Sequence, residues 1–255
     1  MSVHTCKNKR EYMEDQLFKS NTKYLLVAGI FDGHGGRYVS ESLRKYFTAG
    51  KFNFKETETM APIVRAKYLQ TEFERLDTMF RNYGSGSTLC MFISYKNSNH
   101  SFIVNVGDSR ICFFVTPSAK VRMLTRSKSV VPVSLYNNRF VTVDHSATKD
   151  AEFIKSKGGF VRDGRANDIL MMSRAYGDGD AKNLGGVIAR PDVYIIQTSH
   201  IQSNVVISSD GVFEGLTTSD VLYLLMRGCK ASDICNAAIR NGAEDNLALM
   251  ITTTV

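Results

Sequence analysis

The sequence lacks the features of a membrane-spanning or secreted protein. No apolar run approaches the 18 or more residues of a membrane span, and the N-terminal segment MSVHTCKNKREYMED has no apolar core for a secretory signal. The five cysteines, an odd number without Cys-x-x-Cys spacing, argue against a disulfide framework and a zinc knuckle. We therefore expect a cytoplasmic or nuclear protein with reduced thiols and no membrane association.

Linkers and repeats are also missing. The four prolines are isolated, and neither an internal repeat nor a low-complexity tract interrupts the chain. With 255 residues, of which 43% are hydrophobic and 22% charged, the chain is long enough to bury a core of its own. We expect one domain over residues 1–255, with two small domains as the alternative.

The charge is unbalanced toward the basic side, with a formal net charge of +7. Such a surplus fits affinity for nucleic acid, a preference for acidic protein substrates, or a solvated basic surface. No basic motif interleaved with aromatic residues, as RNA-binding modules use, is present. The sequence therefore argues against nucleic acid as a partner.

Short runs of β-branched and aromatic residues dominate the pattern, and each has the length of a strand bounded by turn-forming residues. Their spacing favours an antiparallel, sandwich-like arrangement over regular βαβ units. Helical patterns lie between them at 38–47, from Pro62 through Phe80, at 219–227 and at 232–240. In the second of these we expect an apolar stripe that includes Val64, Tyr68 and Phe73. Segment 117–138 has little pattern and predicts a surface loop. The fold class is thus α+β, with predicted strands at 24–31, 88–95, 101–106, 110–115, 139–143, 193–197, 204–207 and 247–252.

Four aspartates lie at the ends of these predicted strands. Asp32, Asp108 and Asp210 directly follow apolar runs, and Asp245 precedes the last one. Any one of them could be a simple turn residue. Four carboxylates at the ends of buried strands would need a cation or several donors to compensate them. Because the five histidines are far apart in sequence, oxygen ligands and hence Mg²⁺ or Mn²⁺ are favoured over Zn²⁺.

Seven segments in order resemble the PPM class of metal-dependent Ser/Thr protein phosphatases, the type 2C phosphatase family, and they cover nearly the whole chain. They are REYMED (10–15), FDGHGG (31–36), GST (86–88), NVGDSR (105–110), SRAYGD (173–178), SDGV (209–212) and EDN (244–246). The resemblance implies a sandwich of two antiparallel β-sheets flanked by helices. It also implies that phosphoserine and phosphothreonine in proteins are hydrolysed by a water that bridges two metal ions.

The resemblance also implies the site residues. Two ions, Mg²⁺ or Mn²⁺, form the core site, and a weaker third ion can accompany them. The implied ligands are Asp32 as the bridging group, Glu14 and the carbonyl of Gly33 at one ion, Asp210 and Asp245 at the other, and Asp108 at the third.

Two further residues match catalytic positions of the family. Arg10 matches the arginine that holds the phosphate, where a planar guanidinium can bind two oxygens at once. His34 matches the general acid that protonates the leaving alkoxide, a role worth ~10²–10⁴-fold in rate.

The sequence departs from the family pattern at three places. Asp144-His145-Ser146-Ala147 stands where relatives often have Asp-His-Lys-Pro, and Glu214 replaces a common aspartate near the third metal. Residues 126–143, where relatives are usually much shorter, form an insertion or a rebuilt loop. The insertion could alter substrate choice.

Other functions remain open from the sequence. The chief alternative is a pseudophosphatase, a binding or regulatory protein without turnover. A two-metal hydrolase of another phosphoester is a further one, although the absence of a Walker-type loop weakens a nucleotide-binding interpretation. We expect phosphoprotein substrates as partners, and a monomer.

Overall fold

Two antiparallel β-sheets form the centre of the computed structural model, which describes residues 1–254. The larger sheet has the strand order β10-β9-β15-β7-β6-β3-β2, and the smaller has the order β1-β17-β16-β8-β11. Their strands are β1 (Ser2–Cys6), β2 (Gln16–Asn21), β3 (Leu25–Phe31), β6 (Leu89–Tyr95), β7 (His100–Val106), β8 (Arg110–Phe114), β9 (Val121–Leu124), β10 (Val130–Val133), β11 (Arg139–Val141), β15 (Asp192–Gln197), β16 (Val205–Ser208) and β17 (Leu247–Thr252).

Five two-residue strands complete the sheet structure. Three of them form a small sheet in the order β14-β5-β4, and two form a hairpin. They are β4 (Gly33–His34), β5 (Gly86–Ser87), β12 (Val161–Arg162), β13 (Arg165–Ala166) and β14 (Tyr176–Gly177).

Helices cover both outer faces of the sandwich. Pro62 opens α2 at its first turn, where its missing N–H costs nothing. Thr217 and Asp220 cap the start of α6 by exchanging hydrogen bonds with each other's backbone N–H groups. Short 3-10 turns lie at Phe54–Thr57, Leu76–Met79 and Thr198–His200. The helices are α1 (Tyr38–Thr48), α2 (Pro62–Arg75), α3 (Ala151–Ser156), α4 (Gly179–Asn183), α5 (Gly211–Gly215), α6 (Thr218–Met226) and α7 (Ala231–Arg240).

The core has three apolar layers, and strand alternation explains them. Successive side chains of a strand point to opposite faces. In β3, Val27 therefore packs toward α1 and α2, whereas Ala28 packs between the two sheets. In β16, Ile207 lies between the sheets and Val206 packs toward α5, α6 and α7. The order of layers is thus helix, sheet, sheet, helix, which confirms the predicted fold class.

The segment predicted as a surface loop is partly regular. Within 117–138, β9 joins β15, and β10 extends the same sheet as its edge strand. Segment 126–143 also contains β11, which pairs with β8 at the edge of the smaller sheet. This segment therefore adds an edge strand to each sheet. In the described part of the chain, none of the helices has the length and apolar character that crossing a bilayer would need.

Candidate metal centre and active site

The four strand-end aspartates lie at one end of the sandwich. Strands β3 and β7 both pair antiparallel with β6, so their carboxyl ends share an edge and bring Asp32 near Asp108. Strand β16 runs antiparallel to β17, which places Asp210 after one strand beside Asp245 before the other. The backbone N–H of Asp210 donates to Oδ2 of Asp32 at 3.4 Å and joins the two sheets.

Burial and mutual repulsion raise the pKa values of Asp32, Asp108 and Asp210. The pKa of Asp32 rises well above 3.8 through burial and through the charges of Asp15, Asp210 and Asp108. Burial and the charge of Asp210 raise the pKa of Asp108 to about 7. Burial, with the charge of Asp245, also raises the pKa of Asp210. The site gathers more negative charge than its own residues can compensate.

Asp15 belongs to this group although it was not predicted as a site residue. Its side chain is 3% exposed, and burial, opposed by hydrogen bonds to Ser209 and Asp32, raises its pKa to about 7. The sequence feature that could have identified Asp15 is its position directly after Glu14, inside the matched segment 10–15. The buried Oδ2 of Asp15 and Oδ1 of Asp108 accept no hydrogen bond from the described residues. Such oxygens fit the ligands of a hard dication.

The carboxylates do not converge on a single point. Among residues 1–254, no group of three or more His, Cys, Asp and Glu side chains has the arrangement of a formed metal site. Like charges resist closer approach unless a cation compensates them. The donor set, all oxygen with two unpartnered buried atoms, nevertheless suits Mg²⁺ or Mn²⁺.

Glu14 is held against the glycine-rich loop that follows Asp32. Its Oε1 accepts from the backbone N–H of Gly36 at 2.6 Å, and its backbone N–H donates to Oδ1 of Asn246 at 2.7 Å. A Cβ on Gly33 would lie 2.6 Å from both the Glu14 carbonyl oxygen and Oγ of Ser40. Glycine is therefore required at position 33 for Glu14 to approach the loop.

Arg10 lies at the exposed rim of the site and binds a predicted metal ligand. Its Nη2 donates to Oδ2 of Asp245 at 2.6 Å, and its side chain is 56% exposed. Glu214, which stands where an aspartate was expected near a third ion, instead accepts from the backbone N–H groups of Glu244 and Asp245 at 2.8 and 3.0 Å. These contacts fix the loop before β17.

His34 pairs with an aspartate to which the sequence analysis assigned no role. Its Nε2 lies 2.9 and 2.8 Å from the two carboxylate oxygens of Asp178, which is 3% exposed. Burial lowers the pKa of His34, but the hydrogen bond and charge of Asp178, with the charges of Asp108 and Glu14, raise it overall. The Nδ1 atom is buried and has no hydrogen-bond partner within residues 1–254.

A tight backbone arrangement holds this pair. Asp178 has a left-handed conformation with φ of 53°, and its N–H donates to the Ser85 carbonyl. The preceding N–H, of Gly177, donates to Oδ1 of Asp77 at 2.9 Å. A Cβ on Gly86 would lie 2.1 Å from Oδ2 of Asp178 and 2.3 Å from Nε2 of His34. The chain thus leaves no space for a side chain beside the pair.

Residues 144–147, which differ from the family pattern, form hydrogen bonds with neighbouring loops and strands. Asp144 accepts two hydrogen bonds from Arg110, at 2.8 and 2.6 Å. Nδ1 of His145 accepts from the Gly107 N–H at 3.1 Å, so that its Nε2 carries the proton and donates to Asp192 at 3.0 Å. Burial and the charge of Arg174 lower the pKa of His145, which favours the neutral form. These bonds anchor the loop that carries Asp108.

Known proteins are similar to this chain in sequence and fold. The model of the family described as protein phosphatase 2C matches residues 1–247. Protein phosphatase 1L from Bos taurus is 24% identical, over 98% of this chain and 71% of its own length. Probable protein phosphatase 2C 3 from Paramecium tetraurelia is 30% identical, over 87% of this chain and 74% of its own. The crystal structure of serine-threonine phosphatase 2C from Toxoplasma gondii superposes with a TM-score of 0.68 at 17% identity, covering 98% of this chain and 94% of that one. The chain therefore belongs to the protein phosphatase 2C family, a family of protein-serine/threonine phosphatases.

Proposed function

We propose that this chain hydrolyses phosphoserine and phosphothreonine in proteins and depends on Mg²⁺ or Mn²⁺. The observation that carries the proposal is the group of carboxylates at the strand ends, which repel one another and include two buried oxygens without hydrogen-bond partners in residues 1–254. Uncompensated buried charge of this kind is costly unless a cation binds. The family is metal-dependent, which agrees with this reasoning.

We propose that two ions are held in the core site and that a third binds more weakly. When bound, the ions would activate a water molecule and neutralise charge on the phosphoryl group. Asp108 faces the charges of Asp210 and His34 and is our candidate ligand for the weaker ion. The proposed core ligands are Asp32 as the bridging carboxylate, Glu14 with the Gly33 carbonyl at one ion, and Asp210 with Asp245 at the other.

Arg10 and His34 would act on the substrate itself. The guanidinium of Arg10 has five N–H donors, so it can keep its bond to Asp245 and still bind phosphate oxygens. His34 would donate a proton to the leaving oxygen of serine or threonine, since an alkoxide leaves poorly. The Nε2–H of His34 would donate to the Asp178 carboxylate, which would orient the ring and support its protonated form.

The test is turnover of a phosphothreonine peptide with Mg²⁺, with Mn²⁺ and with EDTA. We expect metal-dependent turnover in the unchanged protein and a loss of at least ~10²-fold in Asp210→Asn. Asp163→Asn is the matched control, because Asp163 lies in an exposed turn with φ of 48°, which asparagine also adopts. If folded protein shows no turnover with either metal, the proposal fails and the pseudophosphatase alternative replaces it.

We further propose that residues 1–255 form a single catalytic domain that acts on phosphoproteins as a monomer in the cytoplasm or nucleus. The family match over residues 1–247 supports one domain. All five cysteines are free thiols, as a reducing compartment would require. Light scattering after size exclusion tests the monomer, with a mass near 28.5 kDa expected and a mass near twice that value contradicting it.

A further inference from the structure

An aromatic cleft lies on the helical side of the larger sheet. It has a volume of about 490 Å³, and its walls come from the β2–β3 hairpin, the end of α1 and the segment 50–58. Clefts of a few hundred Å³ with mainly apolar walls are the usual form of a small-molecule site. The aromatic side chains that line it are Phe18, Tyr24, Phe47, Phe52, Phe54 and Tyr95.

The cleft is remote from the metal centre. In the β2–β3 pair, Gln16 faces Phe31 at the end near Asp32, whereas Asn21 faces Leu26 at the end that forms the cleft. Five residues of strand separate these positions, which corresponds to about 17 Å. A ligand in the cleft would therefore not touch the phosphoryl-transfer site.

The walls are flat aromatic surfaces. The ring of Phe47 lies 5.6 Å from that of Phe18 and 5.9 Å from that of Phe52, and the rings of Phe52 and Phe54 are 4.5 Å apart. Rings at these distances pack with one another in a tilted arrangement, and all four side chains line the cleft. A flat, apolar molecule can pack against these rings.

Two cations stand at the mouth of the cleft. The Nζ atoms of Lys23 and Lys55 lie 4.8 and 5.7 Å from the centre of the Tyr24 ring. Neither lysine forms an ion pair with a carboxylate anywhere in residues 1–254. Glu58 also lines the cleft, but its Oε1 accepts a hydrogen bond from Asn97 at 2.8 Å. The rim therefore has an excess of positive charge that an anionic ligand would complement.

From these features we propose that the aromatic cleft binds a small, flat, aromatic anion. The rings would contact its apolar body, and the two lysines would contact its acidic group. The volume, the aromatic lining and the two ammonium groups at the Tyr24 ring all favour the same chemistry. The site does not depend on the phosphatase proposal, since it shares no residue with the metal centre.

The test compares two probes with nearly the same aromatic body. 8-Anilinonaphthalene-1-sulfonate carries an acidic group, and N-phenyl-1-naphthylamine lacks it. Binding is measured by calorimetry and probe fluorescence in EDTA without substrate, so that phosphatase activity has no influence on the result. We expect saturable binding of the sulfonate at one site and weaker binding of the neutral probe.

Variants separate charge from shape. Lys23→Gln with Lys55→Gln should weaken sulfonate binding about fivefold and leave the neutral probe unchanged, as two exposed charge contacts predict. Lys67→Gln with Lys96→Gln is the matched control, because both lysines are exposed and outside the cleft. Ser20→Trp, which fills the cleft from β2, should abolish binding of both probes while thermal unfolding shows a folded protein.

Three results would overturn the proposal. They are failure of the sulfonate to bind the unchanged protein at millimolar concentration, equal weakening by both lysine pairs, and full binding to folded Ser20→Trp.

Discussion

Replacing Gly86 with alanine should disable the proposed general acid while leaving the proposed metal ligands in place. Gly86 pairs with His34 in the small sheet, and an added Cβ would lie 2.3 Å from Nε2 of His34 and 2.1 Å from Oδ2 of Asp178. Carbon and a polar atom need about 3 Å or more, so the pair must move by roughly 1 Å. The backbone of Gly86 does not have a positive φ, so the effect is steric.

The magnitude follows from the role of His34. A displacement of about 1 Å at a reacting group can cost ~10²-fold, and loss of general acid catalysis costs ~10²–10⁴-fold. We therefore expect kcat on a phosphothreonine peptide to fall by at least ~10²-fold in Gly86→Ala. 4-Nitrophenyl phosphate should be affected much less, because its leaving group needs no proton.

The assay compares both substrates in Gly86→Ala and in Gly84→Ala. Gly84 lies two residues before Gly86, outside β5, and a Cβ there would meet no atom of residues 1–254 within 4 Å, so Gly84→Ala should behave like the unchanged protein. Thermal unfolding checks that both variants are folded. If folded Gly86→Ala keeps peptide turnover within about threefold, or loses both substrates equally, the assigned role of the His34–Asp178 pair is wrong.

Three further outcomes follow from the buried charges. Asp178→Asn should slow peptide turnover about tenfold. Because Asp178 raises the pKa of His34, the variant should also lose activity at a lower pH than the unchanged protein as pH rises, which a pH–rate profile measures. The pKa values of Asp15 and Asp108 are raised in the folded state to about 7, so metal-free protein should lose stability as pH rises from about 4 to about 7. Mn²⁺ should then raise Tm more at pH 7.5 than at pH 5, and Asp108→Asn should reduce the pH dependence measured in EDTA. Asp192→Asn leaves the buried Arg174 and His145 without their carboxylate partner. It should lower the free energy of unfolding, measured in urea at pH 7, by about 3 kcal/mol. Burial raises the pKa of Asp192, but its hydrogen bond with His145 and the charges of His145 and Arg174 lower it overall in the folded state. The difference in unfolding free energy between the two proteins should therefore shrink as pH falls below 3.8.

The predicted buried face of α2 shows a limit of apolar periodicity as a guide to which residues are buried. The stripe expected in α2 included Val64, which is 52% exposed, whereas Arg65 beside it is 2% exposed. The guanidinium of Arg65 donates to the carbonyls of Thr57 and Glu58 and lies 4.1 Å from the Tyr95 ring. Apolar periodicity cannot identify an arginine whose partners are backbone carbonyls of another segment.

The insertion at 126–143 gives a second example. Its residues 130–133 and 139–141 become edge strands because β9 and β8 offer unpaired edges to them. Exposed edge strands have little apolar alternation, since much of their side-chain surface faces water. The sequence alone therefore predicted a loop at 130–133, within segment 117–138, whereas the strand predicted at 139–143 is present as β11.

The sequence by itself determined eight of the twelve strands of the sandwich, the α+β class and the placement of four aspartates at strand ends; it missed β1, β2, β9 and β10. These features depend on the period-2 alternation of buried strands and on short motifs, both of which are local. Only the tertiary structure brought Asp178 to His34, across 144 positions, and added Asp15 to the carboxylate cluster. Such pairs depend on how loops from distant segments meet at the end of two packed sheets, and no periodicity in the chain encodes that meeting.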